Sequence, residues 1–193
     1  PIFNFKSQLG LVSGVVIMTI ILYLSGRILF KNNDIKQMGY YALLTILLIV
    51  IDSVIGTYFM KNCIMSYDAI VGARYYGIGN EYEGVTIASA VFALSVLLNY
   101  KKMPKWLTIV LSVIILITSA FPSMGANVGG AISECVAYLL FIMLIFDVKL
   151  DLKKIMILGL AAVVLVLVFA GLDLILGMES HLGVFTQQII QEG

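Results

Sequence analysis

Six long, nearly uninterrupted apolar runs organise the chain: residues 9–30, 39–60, 85–100, 106–121, 128–148 and 155–177. A helix rising about 1.5 Å per residue needs roughly 20 apolar residues to cross the ~30 Å hydrocarbon core of a bilayer. The first, second, fifth and sixth runs meet that length. The third and fourth hold 16 residues each, about 24 Å, so they must borrow flanking residues or lie beside backbone that dips into the membrane. With those flanks the predicted spans cover about residues 9–30, 39–60, 82–100, 105–122, 128–148 and 155–177. An open chain satisfies its backbone in lipid only as helix. The fold class expected is therefore all-α: a polytopic transmembrane bundle of six spans, one domain over residues 1–193. The first run is too long for a signal-peptide core and no small-residue cleavage site follows it, so it reads as a span. No repeat of 20–50 residues and no inverted repeat stands out.

Composition agrees with the pattern. The chain is 61% hydrophobic and 12% charged, with a mean hydropathy of +1.06. A soluble domain of this size needs more polar surface. The net charge of +1 gives no basic field, so nucleic acid is not an expected partner. Cys63 and Cys135 form no CxxC pair and no metal-ligand spacing, so no metal or cofactor is expected and their pairing stays open. The start at Pro1 and the ending "TQQIIQEG" suit a piece of a longer protein.

Charge then orients the runs. Alternate connections carry Arg27, Lys31 and Lys36, then Lys101, Lys102 and Lys105, then Lys149, Lys153 and Lys154. The opposite connections hold only Lys6, Lys61 and Arg74. Lysine and arginine accumulate in cytoplasmic loops. The nine-residue side is thus expected in the cytoplasm, with both ends of the chain outside.

On the predicted outer side the polar groups concentrate. The stretch "VGARYYGIGNEYEG", residues 71–84, sets one arginine, two glutamates and four glycines inside an otherwise greasy sequence. It is expected to form a re-entrant or interfacial loop. "FPSMGANVGG" precedes the fifth span, and "MESHLG" follows the sixth. Asp52, Glu134 and Asp173 lie within spans near their outer ends. Ionisable groups at such depth normally face the bundle interior and pair, and Arg74 is the cation available outside. With Glu81, Glu83, Asn80, Asn127 and His181 they are expected to line one outward cavity. Gly77, Gly79, Gly125, Gly129 and Gly130 permit close backbone approach. The latter three also leave N–H groups at a helix start, where anions bind well. "GIGNEYEG" fits neither the dinucleotide nor the P-loop fingerprint.

Three of these segments carry a resemblance: "RYYGIGN" (Arg74 to Asn80), "GANVGG" (Gly125 to Gly130) and "HLG" (His181 to Gly183). Together they resemble a poorly characterised family of bacterial multi-pass membrane proteins. Its members carry Arg-aromatic-x-Gly-x-Gly-Asn, Gly-Ala-Asp/Asn-x-Gly-Gly and His-Leu-Gly segments. The resemblance implies a bacterial plasma membrane and, in some members, an extracytoplasmic phosphatase-like domain of the same chain. Many relatives have aspartate where this chain has Asn127, which argues against proton transfer or metal binding at that position.

The function expected is a membrane module whose outward pocket binds or processes an anionic, phosphate-bearing lipid or lipid-linked envelope precursor. Arg74 would hold the anion through charge-assisted hydrogen bonds. Tyr76, Gly77, Gly79, Asn80, Gly125, Asn127, Gly129 and Gly130 would line the ligand site, with Glu81 or Glu134 as general base and His181 second. The alternatives are a proton-coupled transporter or flippase using Asp52, Glu134 or Asp173, and a structural anchor for an extracytoplasmic domain.

Overall fold

The computed structural model describes residues 8–61, 77–121, 123–149 and 151–176. Those residues form seven helices: α1 (Gln8–Leu29), α2 (Asp34–Val54), α3 (Tyr58–Lys61), α4 (Asn80–Lys101), α5 (Lys105–Ala120), α6 (Val128–Ile145) and α7 (Leu152–Leu176). No strand occurs among them. Five helices (α1, α2, α4, α6 and α7) are long and apolar enough to cross a membrane. The apolar helix α5 has 16 residues, about 24 Å.

The helix ends are set by local chemistry. Asn33 caps α2 by accepting from the Lys36 N–H at 3.0 Å. Lys102, in the left-handed region, closes α4 by donating to the Leu97 carbonyl. Asp151 precedes α7 and accepts from the Lys154 N–H at 2.9 Å, a bond that holds its carboxyl below the usual carboxylate range.

Several boundaries differ from the pattern-based spans: α2 begins at Asp34 rather than at residue 39, α6 ends at Ile145 rather than at residue 148, and α7 begins at Leu152 rather than at residue 155. The apolar run 39–60 does not make one helix. It ends at Val54, turns through Gly56 and Thr57 at φ +94° and +59°, and resumes as α3. At the turn the Thr57 N–H donates to the Asp52 carbonyl at 2.7 Å, and the Phe59 N–H donates to Asp52 Oδ1 at 2.9 Å. The third span, expected from residue 82, begins at Asn80. The "NEYEG" end of the glycine-rich stretch is therefore the first turn of α4.

Packing is organised around α2 against α4, with α6 touching α4, α5 and α7, while α1 leans on α2 alone among the stronger contacts. Gly39 makes the α2–α4 crossing close, because a Cβ there would lie 2.4 Å from the Val96 side chain. Ile46, Ala90, Ile115 and Tyr138 bring α2, α4, α5 and α6 into one core cluster. Ala120, Val128, Ala131 and Phe169 join α5, α6 and α7. The outer surface is apolar, as at Leu48 and Leu167, whereas Asp52, Glu83, Thr86, Ser119, Asn127 and Glu134 are buried. Polar inside and apolar outside is the distribution of an integral membrane protein, where lipid rather than water faces the helices.

The lysine-bearing ends gather at one end of the bundle. The Lys36 ammonium lies 4.8 Å above the Tyr100 ring, Lys101 lies 6.0 Å above Tyr40, and Lys105 donates to the Ile145 carbonyl. The first turns of α4 and α6 lie at the opposite end.

Candidate functional site

Two of the three glycine-rich segments meet at that opposite end. Residues 123–127 fold back over the last turn of α5: Gly125 N–H donates to the Thr118 carbonyl and Asn127 N–H to the Ser119 carbonyl, both at 2.9 Å. These bonds satisfy carbonyls that the helix end leaves open. The segment before α4 then docks on this loop through Ile78 N–H to the Gly125 carbonyl at 2.7 Å. Ile78 is fully buried and packs with Ile49, Tyr82 and Val85. Gly77 is required at the crossing. Its φ is +87°, and a Cβ would stand 2.2 Å from the Gly125 carbonyl oxygen.

Asn127 occupies the N-cap of α6 and is fully buried. Its side-chain oxygen accepts from the Gly130 N–H at 2.9 Å. Its side-chain nitrogen donates to Glu83 Oε2 at 3.1 Å. One amide thus starts a helix and fixes a carboxyl group on its neighbour. Gly130 makes room for this arrangement, since a Cβ there would lie 2.6 Å from the Glu83 carboxyl carbon.

Behind Glu83 lies Glu134, at 0% exposure and about 9 Å along α6 from its first residue. Glu134 Oε1 accepts from the Ser119 hydroxyl at 3.2 Å and from the Tyr138 hydroxyl at 3.1 Å. The Glu83 carboxyl lies against Gly130, one helical turn before Glu134 on the same face of α6.

A cleft of about 460 Å³ opens between the starts of α4 and α6, lined by Asn80, Glu83, Gly84, Ile87, Gly129, Gly130 and Ser133. That volume lies in the range of small-molecule sites. Among the described residues, Glu83 is the one charged residue in its lining. A polar line therefore runs from the cleft through Glu83 and Glu134 to Tyr138. Among the described residues no group of three or more His, Cys, Asp or Glu side chains gathers as metal ligands would.

The structure brings together Gly77, Gly79, Asn80, Gly125, Asn127, Gly129, Gly130 and Glu134 at this end. Glu81 is exposed. At roughly 100° per residue it lies about 200° around α4 from Glu83, so the glutamate turned toward the site is the latter. Asp52 is buried at the end of α2 and is engaged with the turn into α3. Asp173 lies near the end of α7. Arg74, Tyr76, His181 and Cys63 lie outside the described residues. Sequence reasoning did not single out Ser119, Ser133 or Tyr138. Tyr138 stands one turn after Glu134, a spacing that places both on one face, whereas Ser119 is joined only by tertiary folding.

No protein-family model, no curated protein and no solved structure matches this chain.

Proposed function

We propose that the chain is a proton-coupled membrane protein in which the Glu83–Glu134 pair exchanges a proton with the cleft between α4 and α6. The observation carrying this reading is the placement of two buried carboxyls on neighbouring helices, one lining the cleft against Gly130 of α6 and the other bonded deeper to Ser119 and Tyr138. Ionisable groups inside a bundle are costly and are retained where they pair along an ion or proton path. In this reading α5 is a sixth, short span. The cleft faces away from the cytoplasm of a bacterial plasma membrane, because the lysine-bearing end is the cytoplasmic one. Both chain ends then lie outside.

The test is infrared spectroscopy of the full chain in proteoliposomes during pH change, combined with flux under a pH gradient. The protonated-carboxyl band expected of the wild type disappears in both Glu83→Gln and Glu134→Gln and persists in Glu81→Gln. Gradient-driven flux of a transported solute or lipid is lost in the same two variants. A band untouched by either substitution removes the proton-exchange reading.

A second reading places an anionic, phosphate-bearing lipid or lipid-linked precursor in the same cleft. It is favoured by the two helix starts there: the cleft is lined by Asn80 on α4 and by Gly129 and Gly130 on α6, positions whose dipole attracts anions. Arg74 would supply the charge, and Arg74→Ala would abolish binding of a phosphate-bearing lipid in detergent while leaving the fold intact. Unchanged affinity in that variant eliminates this reading.

A further inference from the structure

A second cavity lies at the lysine-bearing end, about 280 Å³ in volume and lined by Leu29, Phe30, Lys31, Lys36, Tyr40, Tyr100 and Lys101. It sits where the α1–α2 turn meets the end of α4. Lys31 and Asn32 take left-handed backbone angles, φ 50° and 60°, and so wrap the turn tightly against the cavity. Phe30 stacks on Tyr40 with ring centroids 5.0 Å apart. The two tyrosines in turn lie beneath the ammonium groups of Lys36 and Lys101.

The charge balance of this cavity is positive. Asp34, the nearest carboxylate in sequence, is held by Arg27 at 2.7 Å. The other ion pair among the described residues is Lys154 with Asp151, so none of the three cavity lysines is neutralised there by a described carboxylate. The carbonyl ends of α1 and α4 contribute roughly half a negative charge each. Three full positive charges outweigh them. Cation–π contact orients two of the ammonium groups without neutralising them.

We infer that this cavity is a binding site for the phosphodiester headgroup of an anionic phospholipid. Its depth fits that ligand: it lies at the end of two spanning helices, where tyrosines mark the membrane–water boundary and lysines attract anionic lipid. The headgroup phosphate sits among the three lysines, and the acyl chains run down the apolar surface beside Leu29. This site is independent of the carboxyl pair at the other end.

The experiment measures binding of fluorescent phosphatidylglycerol and of phosphatidylcholine to the full chain in detergent micelles, with inorganic phosphate as competitor. The wild type is expected to prefer phosphatidylglycerol, to lose it as salt rises, and to keep it against millimolar-range phosphate. Lys36→Gln with Lys101→Gln should weaken binding about tenfold to thirtyfold, and Lys149→Gln with Lys153→Gln, on the same side of the membrane but outside the cavity, should leave it unchanged. Equal binding of both lipids, equal loss in the two double variants, or displacement by inorganic phosphate overturns the assignment. If the Lys36/Lys101 variant is not monodisperse, the salt dependence and lipid preference of the wild type decide the matter alone.

Discussion

The side chain of Asn127 reaches from the first residue position before α6 to Glu83 on α4, 3.1 Å away and 44 residues distant in sequence. The same side chain caps α6 through Gly130. A loop residue thus couples the start of one span to the carboxyl group of another. Removing it acts twice: loss of an N-cap costs about 1 kcal/mol, and taking the donor from a buried carboxyl costs about 1–3 kcal/mol.

Asn127→Ala should therefore destabilise the protein by roughly 2–4 kcal/mol in thermal or denaturant unfolding in detergent. Asn127→Asp separates the two contributions. Aspartate caps a helix as well as asparagine does, but it turns an acceptor toward Glu83. Its stability should fall short of wild type and recover in acid, where a protonated aspartic acid again donates. Equal stability of Asn127→Ala and wild type would show that the amide links nothing.

Glycine substitutions should divide by what a methyl group meets. At Gly77 it meets the Gly125 carbonyl oxygen at 2.2 Å with φ at +87°, so Gly77→Ala should cost on the order of 3 kcal/mol or prevent folding. At Gly84, inside α4, nothing lies within 4 Å. Gly84→Ala should raise helix stability by about 0.5–1 kcal/mol while narrowing the cleft it lines. Unfolding and activity measured on the same preparations test the split: a stable protein with impaired function is expected only from the latter.

Much of this arrangement was legible in the sequence because the relevant signals are local. Unbroken apolar runs mark the helices, and the glycines of "GANVGG" mark the start of α6. The rest depended on register and on contacts across the fold. Residues 58–60 are as apolar as those before Gly56, so the break between α2 and α3 is invisible until the Asp52 bonds are seen. The choice between Glu81 and Glu83 turns on helix phase: buried positions Thr86, Ala90 and Ala93 extend back by turns of three and four to residue 83. The partnership of Ser119 with Glu134 has no local signature, since a loop brings the two helices together.

Asp52 was a candidate proton carrier by its depth in an apolar run, and its bonds give it a different duty. It accepts from the Phe59 N–H and so starts α3, a role that needs an acceptor oxygen but no proton. Asp52→Asn keeps an acceptor and should retain stability within about 1 kcal/mol, whereas Asp52→Ala should lose about 1–2 kcal/mol with the cap. Proton-coupled activity should survive the asparagine substitution. Its loss in a stably folded Asp52→Asn protein would return Asp52 to the proton path.

The two carboxyls of the pair should respond differently to the same change. Glu134→Gln preserves an oxygen for the Ser119 and Tyr138 hydroxyls, so the fold should be kept to within about 1 kcal/mol while proton exchange is lost. Glu134→Leu leaves both hydroxyls buried without their acceptor and should cost about 2–4 kcal/mol more. Glu83→Gln retains an acceptor for Asn127 and keeps the cleft lined, yet it severs the cleft from Glu134. Its proton exchange should therefore be lost without a change in the bonds that Glu134 accepts from Ser119 and Tyr138, seen as an unshifted Tyr138 signal in ultraviolet or infrared difference spectra. A shifted Tyr138 signal in Glu83→Gln would mean that the two carboxyls hold the core together as one structural unit, with no direction from cleft to interior.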